Sequence, residues 1–190
     1  AALLLLGQLL LQRPQVEVDA SRVRTLLEEV AADHPPAMTA LGRLLATGVG
    51  GPQDESAAVR WFRRAAEAGD VLGMSWLGAF LVLGRGAPVD HREGRAWLRR
   101  GAQAGDAFGA YYLGYHLTRK PLGPEDSEEG RRWLEVAADK GHVKAMYQLG
   151  RLLMRPVWRG GPSQKVALGW LEKAARAGLP QAMHDYGVAL

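Results

Sequence analysis

Cysteine is absent from the 190 residues, which excludes disulfides, thiolate metal sites and a cysteine nucleophile, and leaves the redox compartment open, with neither cytoplasm nor periplasm ruled out. Phenylalanine is scarce, at three residues. β-Branched side chains are also few against an abundance of Ala, Leu, Gly and Arg, a balance that favours helices joined by glycine turns over sheet. A long apolar run is missing. The segment from Ala1 to Leu11 comes nearest to a leader or a membrane span, but it is too short to cross a bilayer and is broken by Gly7 and Gln8,. Charge of one sign is lacking as well: 24 basic residues stand against 20 acidic ones, a formal +4 spread along the chain. That is a mild bias, without the clustering of a nucleic-acid-binding surface.

What the sequence does contain is a repeat. Leu-Gly recurs as Leu6-Gly7, Leu41-Gly42, Leu77-Gly78, Leu113-Gly114 and Leu149-Gly150, then as Tyr186-Gly187, with steps of 35, 36, 36, 36 and 37 residues. Trp61, Trp97 and Trp133 follow their Leu-Gly glycine by 19 residues and Trp170 by 20. A period of this length is the mark of a stacked repeat architecture.

Local signals divide each unit into two helices. Asp54, Asp90, Asp126 and Ser163 lie seven residues before each Trp and are N-cap types, whose side-chain oxygen accepts from an orphan N–H of the first helical turn. Pro52, Pro88, Pro124 and Pro162 stand just ahead, where helix is not expected. Gly69, Gly105, Gly141 and Gly178 follow each Trp by eight residues and are placed to end the helix in the left-handed conformation. Helix B therefore runs from cap to closing glycine, and helix A is the stretch centred on Leu-Gly. Small residues such as Ala58, Ala65, Ala66, Ala167, Ala174 and Ala175 recur around the Trp, and the four Trp side chains are expected in the core between helices. The parse is a degenerate repeat over 1–33, full repeats over 34–69, 70–105, 106–141 and 142–178, and a half-repeat over 179–190, all one solenoid domain.

This pattern resembles the Sel-one-like repeat, a relative of the tetratricopeptide repeat. The family's Ala, Leu-Gly, two-glycine loop, Asp, small residue, Trp, paired Ala and closing Gly are matched almost position by position from Ala37 through Gly69, and closely from Val71 through Gly105. Leu26 replaces the Trp of the first unit, Pro121 and Pro156 interrupt the later loops, and the final half-repeat can cap the array or meet a further C-terminal segment. The resemblance implies an all-α fold, a right-handed α/α superhelical solenoid of stacked helix-turn-helix repeats. It further implies a non-enzymatic adaptor or scaffold, with inhibitor or immunity proteins as a second version, and it supplies no reaction and no cofactor.

The residues themselves offer no catalytic constellation. His34, His91, His116, His142 and His184 are scattered over different units without metal-ligand spacing. Ser21, Ser56, Ser75, Ser127 and Ser163 lie outside any nucleophile-elbow context. Gly48, Val49, Gly50 and Gly51 imitate a phosphate loop but lack its lysine and strand. A hydrolase with an unrecognised site is the alternative from another class. Arg63-Arg64, Arg99-Arg100 and Arg131-Arg132 alternate with Glu67, Glu135 and Asp139, which reads as a solvated face and not as a nucleic-acid site. Membrane insertion has no supporting segment.

Units of one chain share the residues that stacking needs and differ elsewhere. On helix A, the residue before Leu and the residue after Gly are three apart and share a face. These pairs are Ala40 and Arg43, Trp76 and Ala79, Tyr112 and Tyr115, and Gln148 and Arg151. In a superhelix of the resembled class this face is concave and holds the ligand. Trp76, Tyr112 and Tyr115, with Gln148 and the basic rim of Arg43, Arg119, Arg151 and Arg155, form the candidate site for an acidic or mixed-polarity protein or peptide. The aromatics either anchor that partner or fill gaps between successive A helices. Trp158, in the loop with the extra residue, is either a loop anchor or a second contact.

Overall fold

The computed structural model describes residues 2–12, 19–119, 124–155 and 164–189, and among these the chain forms eleven helices and no strand. Its packing falls into two compact units, Ala1–Ala104 and Gly105–Leu190. The first holds α1 (Ala2–Gln12), α2 (Ala20–Val30), α3 (Pro35–Thr47), α4 (Glu55–Glu67), α5 (Val71–Leu83) and α6 (His91–Gln103). The second holds α7 (Ala107–Arg119), α8 (Pro124–Asp139), α9 (Val143–Leu153), α10 (Gln164–Arg176) and α11 (Pro180–Ala189). Odd-numbered helices are the A type and even-numbered ones the B type. Each A helix from α3 to α9 forms a hairpin with the B helix after it, and within each unit that B helix also packs on the next A helix, as α4 does on α5 and α10 on α11. The fold is the expected all-α stack of hairpins. Among the described residues no helix is long and apolar enough to cross a membrane.

Boundaries follow the local chemistry. Asp54 and Asp90 cap α4 and α6 by accepting from the N–H of Ala57 and Glu93, both at 2.8 Å. The closing glycines Gly69, Gly105, Gly141 and Gly178 have φ of +90°, +94°, +84° and +85°, a conformation that side chains with a Cβ rarely adopt,. The residue after each of the first three closing glycines caps the following A helix, a role the repeat pattern did not announce. Asp70 and Asp106 accept from Gly73 and Gly109, and His142 Nδ1 accepts from Ala145.

Asp126 departs from expectation: α8 begins at Pro124, so Asp126 lies inside its first turn. Proline suits that start, because its missing N–H would have been an orphan there and its φ is already helical. Two acidic residues in that turn, Glu125 and Asp126, complement the helix dipole,. Ser163, Pro121, Pro156 and Pro162 lie outside the described residues.

The core is built on a glycine notch. The Leu-Gly glycine of helix A faces the residue after the Trp of helix B: Phe62, Leu98, Leu134 and Leu171 are 0%, 0%, 1% and 2% exposed. A Cβ on Gly42 would lie 2.6 Å from the Phe62 ring, and one on Gly78, Gly114 or Gly150 would lie 2.7, 2.9 or 2.8 Å from Cγ of the corresponding leucine. These contacts are shorter than a Cβ allows, so glycine is required for the two helices to meet. The residue four before each knob is also small, as Ala58, Gly94, Gly130 and Ala167, all buried.

The tryptophans are thus not the core residues expected of them. Trp61, Trp97, Trp133 and Trp170 are half-buried and one position off the knob, with Trp61 and Trp97 packed against the core from its edge. Trp97 and Trp133 donate their indole N–H to Glu93 and Glu129 one turn back, each at 3.1 Å. Arg64 and Arg100 lie over Trp61 and Trp97 with guanidinium carbons 4.5 and 4.4 Å from the ring centroid, and Lys173 Nζ lies 4.1 Å from that of Trp170. Each Trp forms a half-buried lid over its hairpin, and in Trp97 and Trp133 the indole N–H is satisfied by a carboxylate,.

Candidate functional site

In the first unit the candidate face is carried by α3 and α5. Trp76 stacks on Phe62 with centroids 5.7 Å apart and meets Phe80 edge-on at 6.1 Å, so one side of its ring is held by the core. Arg43, reaching over from α3, places its guanidinium carbon 5.3 Å from the Trp76 centroid. Burial of that guanidinium lowers its pKa from the ordinary arginine value. Both residues remain partly exposed, whereas Ala40 and Ala79 on the same helical positions are buried at 6% and 1%. The result is a rigid, partly solvated aromatic–guanidinium pair on a close-packed base.

In the second unit α7 carries a cluster of four aromatic rings. Phe108 and Tyr112 are 4.6 Å apart, Tyr112 lies 5.0 Å from Tyr111, and Tyr115 lies 5.8 Å from Tyr111. Tyr111 was not singled out in the sequence, yet it organises the group. It is 8% exposed and stacks on His142 at 4.4 Å, and burial raises its hydroxyl pKa to about 12. Tyr112 and Tyr115 are half-buried on either side of it. His142 is committed to the cap of α9 and to this stack, and burial, aided by Lys144, holds its pKa below the usual imidazole value.

Arg119, Gln148, Arg151 and Arg155 come together. With Thr118 and Leu152 they line one cleft of about 370 Å³ between α7 and α9. The reason is register: Arg119 and Arg155 are 36 residues apart, Arg119 ending α7 and Arg155 lying two residues past the end of α9, which packs on α7, while Gln148 and Arg151 share one face of α9 at helical spacing,. Arg119 also lies over Tyr115 at 5.4 Å. Arg151 is fixed from its far side, with its guanidinium carbon 5.5 Å from the Tyr147 centroid and Nε 3.7 Å from Asp185, whose carboxylate accepts from the Tyr147 hydroxyl at 2.9 Å. Burial and that hydrogen bond raise the Tyr147 pKa. Three guanidinium groups around a cleft with no carboxylate in its lining suit an anionic group, because planar forked donors match a carboxylate in pairs,. Among the described residues no three ligating side chains converge as for a metal. Trp158 lies outside the described residues.

The opposite, B-helix surface is occupied by its own ion pairs. Arg63 binds Glu93 through both nitrogens, one at 3.1 Å, and this hydrogen bonding lowers the Glu93 pKa. Arg131 bridges Glu128 and Glu135. These basic residues are spoken for by carboxylates, whereas in the cleft only Arg151 has an ion pair among the described residues, with Asp185.

Stacked helix hairpins, each closed by the same glycine notch, define an α/α repeat protein. The chain belongs to the Sel1 repeat family, whose model, the Sel1 repeat, matches residues 35–70, 71–106, 107–142 and 143–179. Repeats of this family generally mediate protein–protein interaction and are generally non-catalytic. No curated protein sequence matches the chain. Among solved structures, a Sel1 repeat protein from Oxalobacter formigenes is similar at a TM-score of 0.77 and 26% identity, over 96% of this chain and 75% of that one. The protective antigen c5321 of uropathogenic Escherichia coli, which displays an SLR fold, matches at 0.78 and 22% identity over 98% of this chain. The chain spans 40% of that antigen's length. The immunity protein Pa5087 from Pseudomonas aeruginosa shares the fold at 0.65 and 20% identity, over 95% of this chain and 67% of its own.

Proposed function

We propose that this protein is a non-enzymatic interaction module whose A-helix face takes an acidic or mixed-polarity protein or peptide. The observation that carries the reading is the arginine-lined cleft of α7 and α9, whose cations face solvent without carboxylates of their own in the lining. Supporting it are the half-exposed aromatics Trp76, Tyr112 and Tyr115, each seated on buried rings. Rigid aromatic anchors beside arginine are the composition that dominates binding energy at protein interfaces, since little conformational entropy is lost when they are covered. The gap-filling role and the anchoring role are compatible in Trp76: the core holds one side of the ring, Arg43 shelters another part, and the side chain stays partly exposed.

The test is comparative affinity capture from the native host with mass spectrometry, using the wild-type chain and Arg151→Glu as paired baits. The reading expects proteins retained by the first and lost from the second. Identical retention by both baits would contradict it. The retained protein's identity also sorts the two biological versions, since a multi-protein assembly points to a scaffold and a single toxin or enzyme to an inhibitor. Robust turnover in a broad substrate screen, abolished by one point substitution, would overturn the non-enzymatic reading.

A further inference from the structure

The arginine cleft has a counterpart one repeat further on. A second cleft, of about 410 Å³, is lined by Arg151, Met154, Leu171, His184, Asp185, Val188 and Ala189. Met154 stands 36 residues after Thr118, and Val188 and Ala189 stand 37 residues after Arg151 and Leu152. The same inter-helix groove is therefore built twice, first between α7 and α9 and then between α9 and α11. Its chemistry changes from one copy to the next. Threonine is replaced by methionine and arginine by valine, so the second cleft is mainly apolar, with Val188 75% exposed at its rim. Arg151 lines both.

We infer that the two clefts are read together by one extended segment of a partner protein, with carboxylates in the Arg119–Arg151–Arg155 cleft and an apolar side chain in the Met154–Val188 cleft. This rests on the protein-binding reading above and specifies its ligand. Charge complementarity selects the occupant of the first cleft: among the described residues neither Arg119 nor Arg155 forms an ion pair, and both are exposed. The apolar second cleft selects a polypeptide over a nucleic acid or a free phosphate, because of these three a peptide alone places an aliphatic side chain beside its anionic groups. Asp185 marks the boundary. Its carboxylate faces Arg151 from the α11 side and repels a further acidic residue there, so the acidic stretch ends where the apolar cleft begins. Packed helices lie roughly 10 Å apart and an extended chain advances about 3.3 Å per residue. The apolar side chain consequently lies about three residues from the carboxylates along the segment.

The test uses the 190-residue chain and fluorescein-labelled peptides of Gly and Ser that carry a Glu-Glu pair and one Leu at graded separations, read by fluorescence anisotropy. The inference expects tightest binding near a separation of about three residues. Replacing Glu-Glu by Gln-Gln, or Leu by Gly, weakens it by about tenfold or more. Arg155→Glu removes the preference for Glu over Gln, and Val188→Glu removes the preference for Leu over Gly; both sites are exposed, so circular dichroism of each variant remains wild-type. Equal binding of all the peptides, or of a single-stranded RNA in their place, overturns the inference. If Arg155→Glu and Val188→Glu leave capture of a native partner intact while Trp76→Ala abolishes it, this inference fails and the protein-binding reading stands. If none of the three affects capture, both fail.

Discussion

Gly78 and Leu98 meet so closely that a Cβ on the glycine would lie 2.7 Å from the leucine Cγ. The same pairing joins Gly42 to Phe62, Gly114 to Leu134 and Gly150 to Leu171, and it stops at Gly187, around which nothing lies within 4 Å among the described residues.

Two glycines at one repeat position should therefore respond oppositely to alanine. Gly78→Ala forces the hairpin of α5 and α6 apart and should destabilise by about 1–3 kcal/mol, the usual cost of overpacking. Gly187→Ala meets no neighbour and should gain about 0.5 kcal/mol from helix propensity alone. Urea midpoints of the two variants check the difference in sign.

A second comparison separates the conspicuous residue from the buried one. Leu98→Ala leaves a cavity at a fully buried knob and should cost about 3 kcal/mol. Trp97→Ala, removing a half-buried lid and its hydrogen bond to Glu93, should cost less, about 1–2 kcal/mol. Equal losses in denaturant unfolding would return the Trp to the core.

These two residues also show how far the sequence could be read. Leu-Gly spacing, the closing glycines and the Asp54 and Asp90 caps were legible because each is a local signal with a local cause, and together they specify the hairpins. Periodicity says which positions recur, and it is silent about which way they face. Trp97 recurs because every hairpin needs an outer lid, while the knob beside it varies between Phe and Leu and so hides from a search for identity. Asp70, Asp106 and His142 escaped notice as caps because their A helices open directly after the closing glycine, without a loop to announce them. Of the candidate site, the shared position of Arg119 and Arg155 could be read from the 36-residue step, whereas Tyr111 could not. Its burial depends on His142, 31 residues away.

The His142 cap carries a pH dependence. Burial lowers the folded-state pKa of this histidine below 6.5, so the unfolded chain binds the proton more readily. Its contribution to stability is present above about pH 6.5 and is lost as pH falls from there through the folded-state value,. Protonation also turns Nδ1 from the acceptor of the Ala145 N–H into a donor,. Over pH 7.5 to 5.5, before carboxylates titrate, His142→Asn should retain the cap and flatten the fall in stability. Thermal or urea unfolding across that range measures it.

Ser75 should prove better absent. Its hydroxyl is fully buried with no hydrogen-bond partner among the described residues, and an unsatisfied buried polar group costs about 1–3 kcal/mol. Ser75→Ala is expected to raise stability by about 1 kcal/mol, seen as a higher urea midpoint with an unchanged slope.

The central claim, that the A-helix face binds the partner, is tested most directly by isothermal titration of the captured partner into surface variants of the folded chain. Trp76→Ala and Tyr112→Ala should each weaken binding by about 2 kcal/mol or more. Arg151→Glu should weaken binding, with the largest loss at low salt, and Arg64→Ala and Arg100→Ala on the B-helix surface should leave the affinity unchanged. Loss of binding on the Arg64 and Arg100 substitutions, with wild-type affinity for Trp76→Ala and Tyr112→Ala, would contradict the account and place the partner on the B-helix side.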